Sequence, residues 1–181
     1  MVVIRKQEMV VNSVHIGDQI QVGKYTATCQ KITESGGIFM LDQCLDKPYG
    51  MNRTVTNVGG YEASDLRKDL IDDFKTDVNF DSIRHMLVPF ENGDLVRIPT
   101  IGEFFGQDNF YVMDKAKQWE LMKNRSNRIA DREGIPLEWS WLQNTVKMSA
   151  ARFAVVGNTG LAASNSASLS LGVRPVFMLV A

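Results

Sequence analysis

Catalysis or metal binding needs ionisable or nucleophilic side chains at workable spacings, and this 181-residue sequence offers few. Its two histidines, His15 and His85, stand alone, outside any H-x-x-x-H or Cys/His grouping that would supply metal ligands. The acidic run Asp69, Asp72, Asp73 and Asp77 carries charge that could attract calcium. Its residues fall on an expected helix and its end, without the tight spacing of an EF-hand loop, so a solvated helix face is expected instead. There is no G-x-S-x-G elbow, no phosphate-binding loop of the Walker type and no G-x-G-x-x-G fingerprint. The reading is therefore of a non-enzymatic protein with no catalytic residues, no cofactor and no metal.

Two cysteines remain. Cys29 and Cys44 flank Gly36-Gly37, and a two-residue turn at those glycines would set Ser35 against Ile38 and Cys29 opposite Cys44. Neighbouring thiols can be a disulfide, a redox pair or small apolar strand residues. With no leader recognisable in the opening MVVIRKQEMVVNSV, reduced and buried thiols are expected.

The polar chemistry lies near the C-terminus. From Gly157 to Gly172 the chain is rich in Gly, Ser, Ala and Asn and reads as a long loop, a feature that in compact domains is functional or mobile. The side chains of Asn158, Ser164, Asn165, Ser166 and Ser168 can donate and accept hydrogen bonds, which suits a glycan or a protein surface. Trp139 or Trp141 could add an apolar platform, although two tryptophans at period-two spacing share one strand face and also fit a core. Arg152, ahead of an apolar strand, is a candidate contact. Arg174, between Val173 and Pro175, could clamp a carboxylate, and the structural role of bonding backbone carbonyls or an internal acid is favoured for it.

The elements expected to carry these residues run strands, then helices, then strands. β-branched and apolar residues with turn signals at Gly17-Asp18, Gly23-Lys24 and Gly36-Gly37 predict strands near 14–22, 24–33 and 37–45. Lys47 to Gly60 reads as a loop. Ser64 caps a predicted helix over 64–75 with Leu66, Leu70 and Phe74 on one side. Short helices are expected at Asp81 to Met86, at Ile101 to Phe105, where Thr100 and Glu103 have capping-box spacing, and at Asp114 to Asn124. Trp139 to Leu142, Phe153 to Val156 and Val173 to Val180 read as strands. The fold class is α+β in one domain spanning 1–181, without internal repeats.

A formal charge of −1 gives no bulk attraction to nucleic acid or an anionic membrane. No apolar run reaches the roughly 18 to 20 residues that span a bilayer, so neither nucleic-acid binding nor membrane insertion is expected. The chain reads as soluble, without a Sec-type leader; action outside the cell would need another route, such as a virion released by lysis.

The order GDQIQVGKYTATCQKI, GGYEASDLRKDLIDDF, LVRIPTIGEFFG, WSWLQN, ARFAVVGNTG and LGVRPVFMLV resembles a bacterial and phage domain family of unknown function with a C-type-lectin-like fold. That fold is similar in architecture to the formylglycine-generating enzyme and to receptor-binding proteins diversified by retroelements. The resemblance covers about 14 to 180 and implies a binding scaffold whose ligand face lies near the C-terminus, here Trp139 through Ser170. It adds Asn144 to the ligand-binding candidates Trp141, Arg152, Asn158, Ser164, Asn165, Ser166 and Ser168. In that segment, interspersed alanines and the lack of tyrosine depart from the diversified pattern. The chain lacks the Glu-Pro-Asn and Trp-Asn-Asp triplets of calcium-dependent sugar binding, and the reactive C-terminal cysteines of the formylglycine-generating enzyme are missing. The implied partner is a bacterial surface protein or glycan, engaged by a homo-oligomer with avidity. The alternative is an assembly protein of a phage particle that uses the same fold for fixed contacts.

Overall fold

A computed structural model of the protein describes residues 14–180. The opening read for a leader lies, apart from Val14, outside those residues. In chain order the strands are β1 (Gln19–Val22), β2 (Tyr25–Ile32), β3 (Gly37–Leu41), β4 (Tyr49–Gly50), β5 (Leu87–Val88), β6 (Ala130–Arg132), β7 (Ile135–Glu138), β8 (Ser140–Thr145), β9 (Arg152–Val156), β10 (Ala162–Ser166), β11 (Ser170–Leu171) and β12 (Val176–Leu179). Two α-helices, α1 (Asp65–Thr76) and α2 (Ile101–Phe105), lie between β4 and β6. The architecture is sheet-rich α+β, with strands toward both ends and the helices between them.

The main sheet has the order β1-β2-β3-β12-β5 and is antiparallel throughout, so the last strand of the chain fills an inner position. Period-two alternation divides its side chains between two cores. Phe39 and Leu41 of β3, with Phe177 and Leu179 of β12, join the core closed by Leu66, Leu70 and Phe74 of α1. Ile38 and Met40, with Val176 and Met178, face the second core, closed by Ile101 and Phe104 of α2, Trp119 and Met122. A second sheet, β10-β9-β8, divides in the same way. Trp141, Phe153 and Val155 enter the first core, and Leu142, Ala154 and Val156 the second. Strands buried on both faces explain why GIFML and VFML read as unbroken apolar runs.

The two helices follow from their caps. Ser64 Oγ accepts from the Arg67 amide at 3.1 Å, and Arg67 then grips Asp94 through two bonds of 2.8 Å. In α2, Thr100 accepts from the Glu103 amide while the Glu103 carboxylate accepts from the Thr100 amide, a complete capping box. The acidic run on α1 is less solvated than expected: Asp69 pairs with Arg53, Asp73 holds Lys47 and the Tyr49 hydroxyl, and Asp77 accepts from the Asn79 amide.

Four expectations are corrected. Asp114 to Asn124 is not an α-helix; only Glu120–Lys123 turns, as a 3-10 segment. Its start is pinned outward, with Asp114 accepting from the Gly102 and Ala116 amides and the Trp119 amide donating to the Glu103 carbonyl. The residues expected to form a helix over 81–86 carry only a 3-10 turn at Arg84–Met86, just after another at Val78–Phe80. The cysteines are not cross-strand partners. The β2–β3 turn spans Thr33 to Gly36, and the ladder slips at Gln30, so Cys29 faces Phe39; both thiols are buried and unbonded. Finally, Gly157 to Gly172 is no long loop: β10 folds back on β9, and β11 pairs with β4.

Candidate functional site

The β9–β10 hairpin carries most of the expected contacts. Its turn is tight: the Gly160 amide donates to the Gly157 carbonyl, the Gly157 amide donates to the Leu161 carbonyl, and Gly160 takes φ 76°. That is a three-residue loop of Asn158, Thr159 and Gly160 closed by a glycine bulge, which only glycine adopts without strain. Arg125 Nε donates to the Thr159 carbonyl at 2.5 Å and holds the tip against the body of the protein.

Along β10 the pairing puts Ser164 opposite Ala154 and Ser166 opposite Arg152, on one face, while Asn165 lies opposite Phe153 on the other. Arg152, Ser164 and Ser166 are thus brought together. Arg152 Nε donates to Ser164 Oγ at 3.0 Å, and Nη2 donates to the Ser164 carbonyl at 2.6 Å. Asn158 sits apart at the exposed tip, and Ser168 is exposed beyond the strand. Asn165 turns its side-chain oxygen back to accept from the Ser166 amide.

Two expected contacts are corrected. Trp141 is fully buried, and its indole N–H donates to the Tyr49 carbonyl at 2.8 Å, so it is a core residue without access to a ligand. Asn144 is also buried. Its oxygen accepts from the Ile101 amide at 2.7 Å and its nitrogen donates to the Val112 carbonyl and Asp114, so it ties α2 to β8.

Sequence reading missed an apolar end beside this hairpin. Asn57 Nδ2 donates to the carbonyls of Ser149 and Arg152, and the Asn57 amide donates to the Ala150 carbonyl, which locks the 54–58 loop to the 146–152 segment. The Lys147 amide donates to the Phe110 carbonyl and brings in a third loop. These loops carry Met148, 92% exposed, Val58, 78% exposed, and Phe110, 53% exposed. No period marks such residues in sequence, because the loops are joined by hydrogen bonds and not by pattern.

A cleft of about 690 Å³ lies elsewhere, lined by Tyr61, Arg97, Glu103 and Asp114 among others. Two of its acids are engaged: Glu103 pairs with Arg97 at 2.5 Å as well as closing its capping box, and Asp114 accepts three bonds. Burial pushes the Tyr61 phenol well above its usual range, so it stays protonated at neutral pH. Among the described residues no cluster of three or more His, Cys, Asp or Glu could hold a metal ion, and no helix is long and apolar enough to cross a membrane.

Set beside known protein families, curated proteins and solved structures, the chain matches none of them.

Proposed function

We propose that the protein is a non-enzymatic recognition module with a C-type-lectin-like fold, of the kind carried by phages and prophages. In this reading it binds a protein receptor on a bacterial surface. The observation that supports it most is the end of the molecule where Arg152, clasped to Ser164, adjoins loops that hold Met148, Val58 and Phe110 in solvent. Exposed apolar side chains rimmed by hydrogen-bonding groups are the composition of a protein-binding patch. Of these three side chains only Phe110 is aromatic, whereas a flat glycan would call for a platform of several rings. Ser166 on the Arg152 face, and Asn158, Asn165 and Ser168 around it, supply the polar rim.

The test is to display the protein multivalently and measure binding to intact bacteria and to a glycan array. A Met148→Asp, Val58→Asp double variant should lose cell binding while keeping its circular dichroism. Equal binding by the variant removes the patch from the reading, and binding to glycans alone makes a surface glycan the ligand. The edge position of β10 among the described residues favours a second reading, an assembly protein joined to copies of itself, although Arg152 and Asn165 already bond part of that edge. A stable oligomer by light scattering that the double variant dissociates, with no cell or glycan binding, would select it.

A further inference from the structure

Arg53, Arg67, Arg84, Arg97 and Arg132 each pair with a carboxylate. Arg125 and Arg128, which open and close the 3-10 turn Arg125–Arg128, pair with none among the described residues. In a 3-10 helix, residues three apart eclipse one another, so these two side chains rise from one face. The acids that flank the turn in sequence are occupied. Glu120 is held by Lys123 at 2.5 Å, and Asp131 accepts from the Leu137 amide at 2.8 Å.

Both guanidiniums are held in place. Arg128 lies over the Phe105 ring, 4.7 Å from its centre. Its Nε is buried without an acceptor, while Nη1 and Nη2 make no bond among the described residues and reach solvent. Arg125 is exposed; it spends Nε on the Thr159 carbonyl and leaves its Nη nitrogens without a bond among the described residues. The turn beneath them is fixed by side chains. Arg174 bonds backbone carbonyls, the role favoured for it from sequence: Nε donates to Leu41 at 3.0 Å, and Nη1 to Asn127 at 3.2 Å and Arg128 at 3.4 Å. Asn127 Nδ2 donates to the Leu121 carbonyl at 2.8 Å. Partial burial and then the charge of Arg125 pull the Arg128 guanidinium below its ordinary value, the second cause being that of like charges in proximity.

Two ordered cations side by side repel one another, and an anion placed between them reverses the sign of that interaction. We propose that Arg125 and Arg128 form a binding site for a phosphate group, free or carried as a monoester on a larger molecule. At neutral pH a phosphate monoester brings close to two negative charges and three acceptor oxygens, which matches two guanidiniums better than a carboxylate does. The planar fork of Arg128, laid on the Phe105 ring, suits two parallel bonds to such oxygens. Because both side chains are already ordered, little conformational freedom is lost on binding. The site lies by Thr159, at the tip of the β9–β10 hairpin, whereas Arg152 stands at the hairpin's base. It is therefore separate from the proposed receptor face, and either can fail without the other.

The test is calorimetric titration of the full chain at low ionic strength and about pH 7.5 with inorganic phosphate, glycerol 3-phosphate and acetate. At least one of the two phosphates should bind roughly tenfold or more tightly than acetate. Tighter binding of the ester supports the carried form, and equal binding the free ion. Affinity should fall as the pH drops below about 6, where phosphate takes up its second proton. Arg128→Lys keeps the charge but loses the fork, and should weaken phosphate binding about tenfold. Arg125→Gln, at an exposed position, should weaken it at least as much. Lys68→Gln and Lys75→Gln, on exposed positions of α1, also remove positive charge and should leave binding unchanged. No phosphate binding, acetate as tight as phosphate, affinity unchanged in both arginine variants, or equal losses in the α1 variants overturns the proposal.

Discussion

The β2–β3 and β9–β10 hairpins are built alike and buried differently. Each closes on a glycine whose added Cβ would meet backbone: the Leu179 carbonyl at Gly36, and the Arg125 carbonyl at Gly160. Yet every residue of β3 is buried, while every residue of β10 is half-buried. The difference lies in the neighbours. β3 is flanked by β2 and β12 and covered by a core on each face, whereas among the described residues β10 has only the strand β9 beside it. Local turn chemistry makes a hairpin, and the layers around it decide how much stability that hairpin carries and how much surface it leaves for contacts.

Thiol labelling should show the largest contrast. Cys29 lies in β2, and burial raises its thiol pKa; for Cys44 burial pushes the thiol up to about 12. Reaction of both with an aromatic disulfide reagent at pH 8 should be on the order of a thousandfold slower in the native protein than in urea, because the thiols become accessible only on unfolding. Rapid native labelling of Cys29 would break the claim that the first hairpin is sealed.

The glycines give a matched pair. Gly36→Ala should cost about 3 kcal/mol in urea denaturation, because the main sheet cannot shift to admit a Cβ against Leu179. Gly160→Ala should cost about 1–2 kcal/mol: φ 76° is strained for alanine, but the collision falls on the edge of the fold. Equal costs would mean that the second hairpin is as integral as the first. On β10 itself, Ser164→Ala should change stability by less than about 0.5 kcal/mol, since its hydroxyl bond to Arg152 is open to solvent.

An acid titration should show a smaller, diffuse effect near the turns. A bond from Lys24, in the β1–β2 turn, holds the Asp46 carboxyl below the usual carboxylate range, and the Arg53 amide does the same for Asp65. Groups with depressed folded values stabilise the fold above their unfolded pKa of about 4, and that stability is lost as pH falls through the lower folded values. The urea midpoint should be flat from neutrality to about pH 5 and decline below about pH 4. A decline on raising the pH within that span would reverse the sign and contradict the assignment.

How far the sequence was legible follows from where the deciding interactions lie. α1 and α2 were readable because Ser64, Thr100 and Glu103 act within one turn of the helices they start. β3 and β12 were readable as apolar runs. β10 was not, since Ala162 to Ser166 has neither bulk nor alternation, and its pairing depends on β9 and on the clasp of Arg125 on Thr159. The helix expected at 114–124 failed because its amides and acid bond to α2, a tertiary competitor invisible to periodicity. The bulge at Gln30 displaced Cys29 from the register that a two-residue turn implied. At the candidate contacts, residue type fitted the exposed Arg152 and Asn158, but could not separate them from Trp141 and Asn144, whose polar atoms are spent inside the fold.

The inner place of β12 in the main sheet has a consequence for how the protein is made. Residues 176–179 bridge β3 and β5, and Pro175 and Val176 bond to Leu41 and Arg97, so the sheet stays split until the ribosome has released almost the entire domain. Contacts between such distant parts of the chain slow folding, and β3, the most apolar of the early strands, waits meanwhile with one edge open. A nascent chain stalled before residue 176 should therefore be a client for chaperones, and the addition of a few residues should release it.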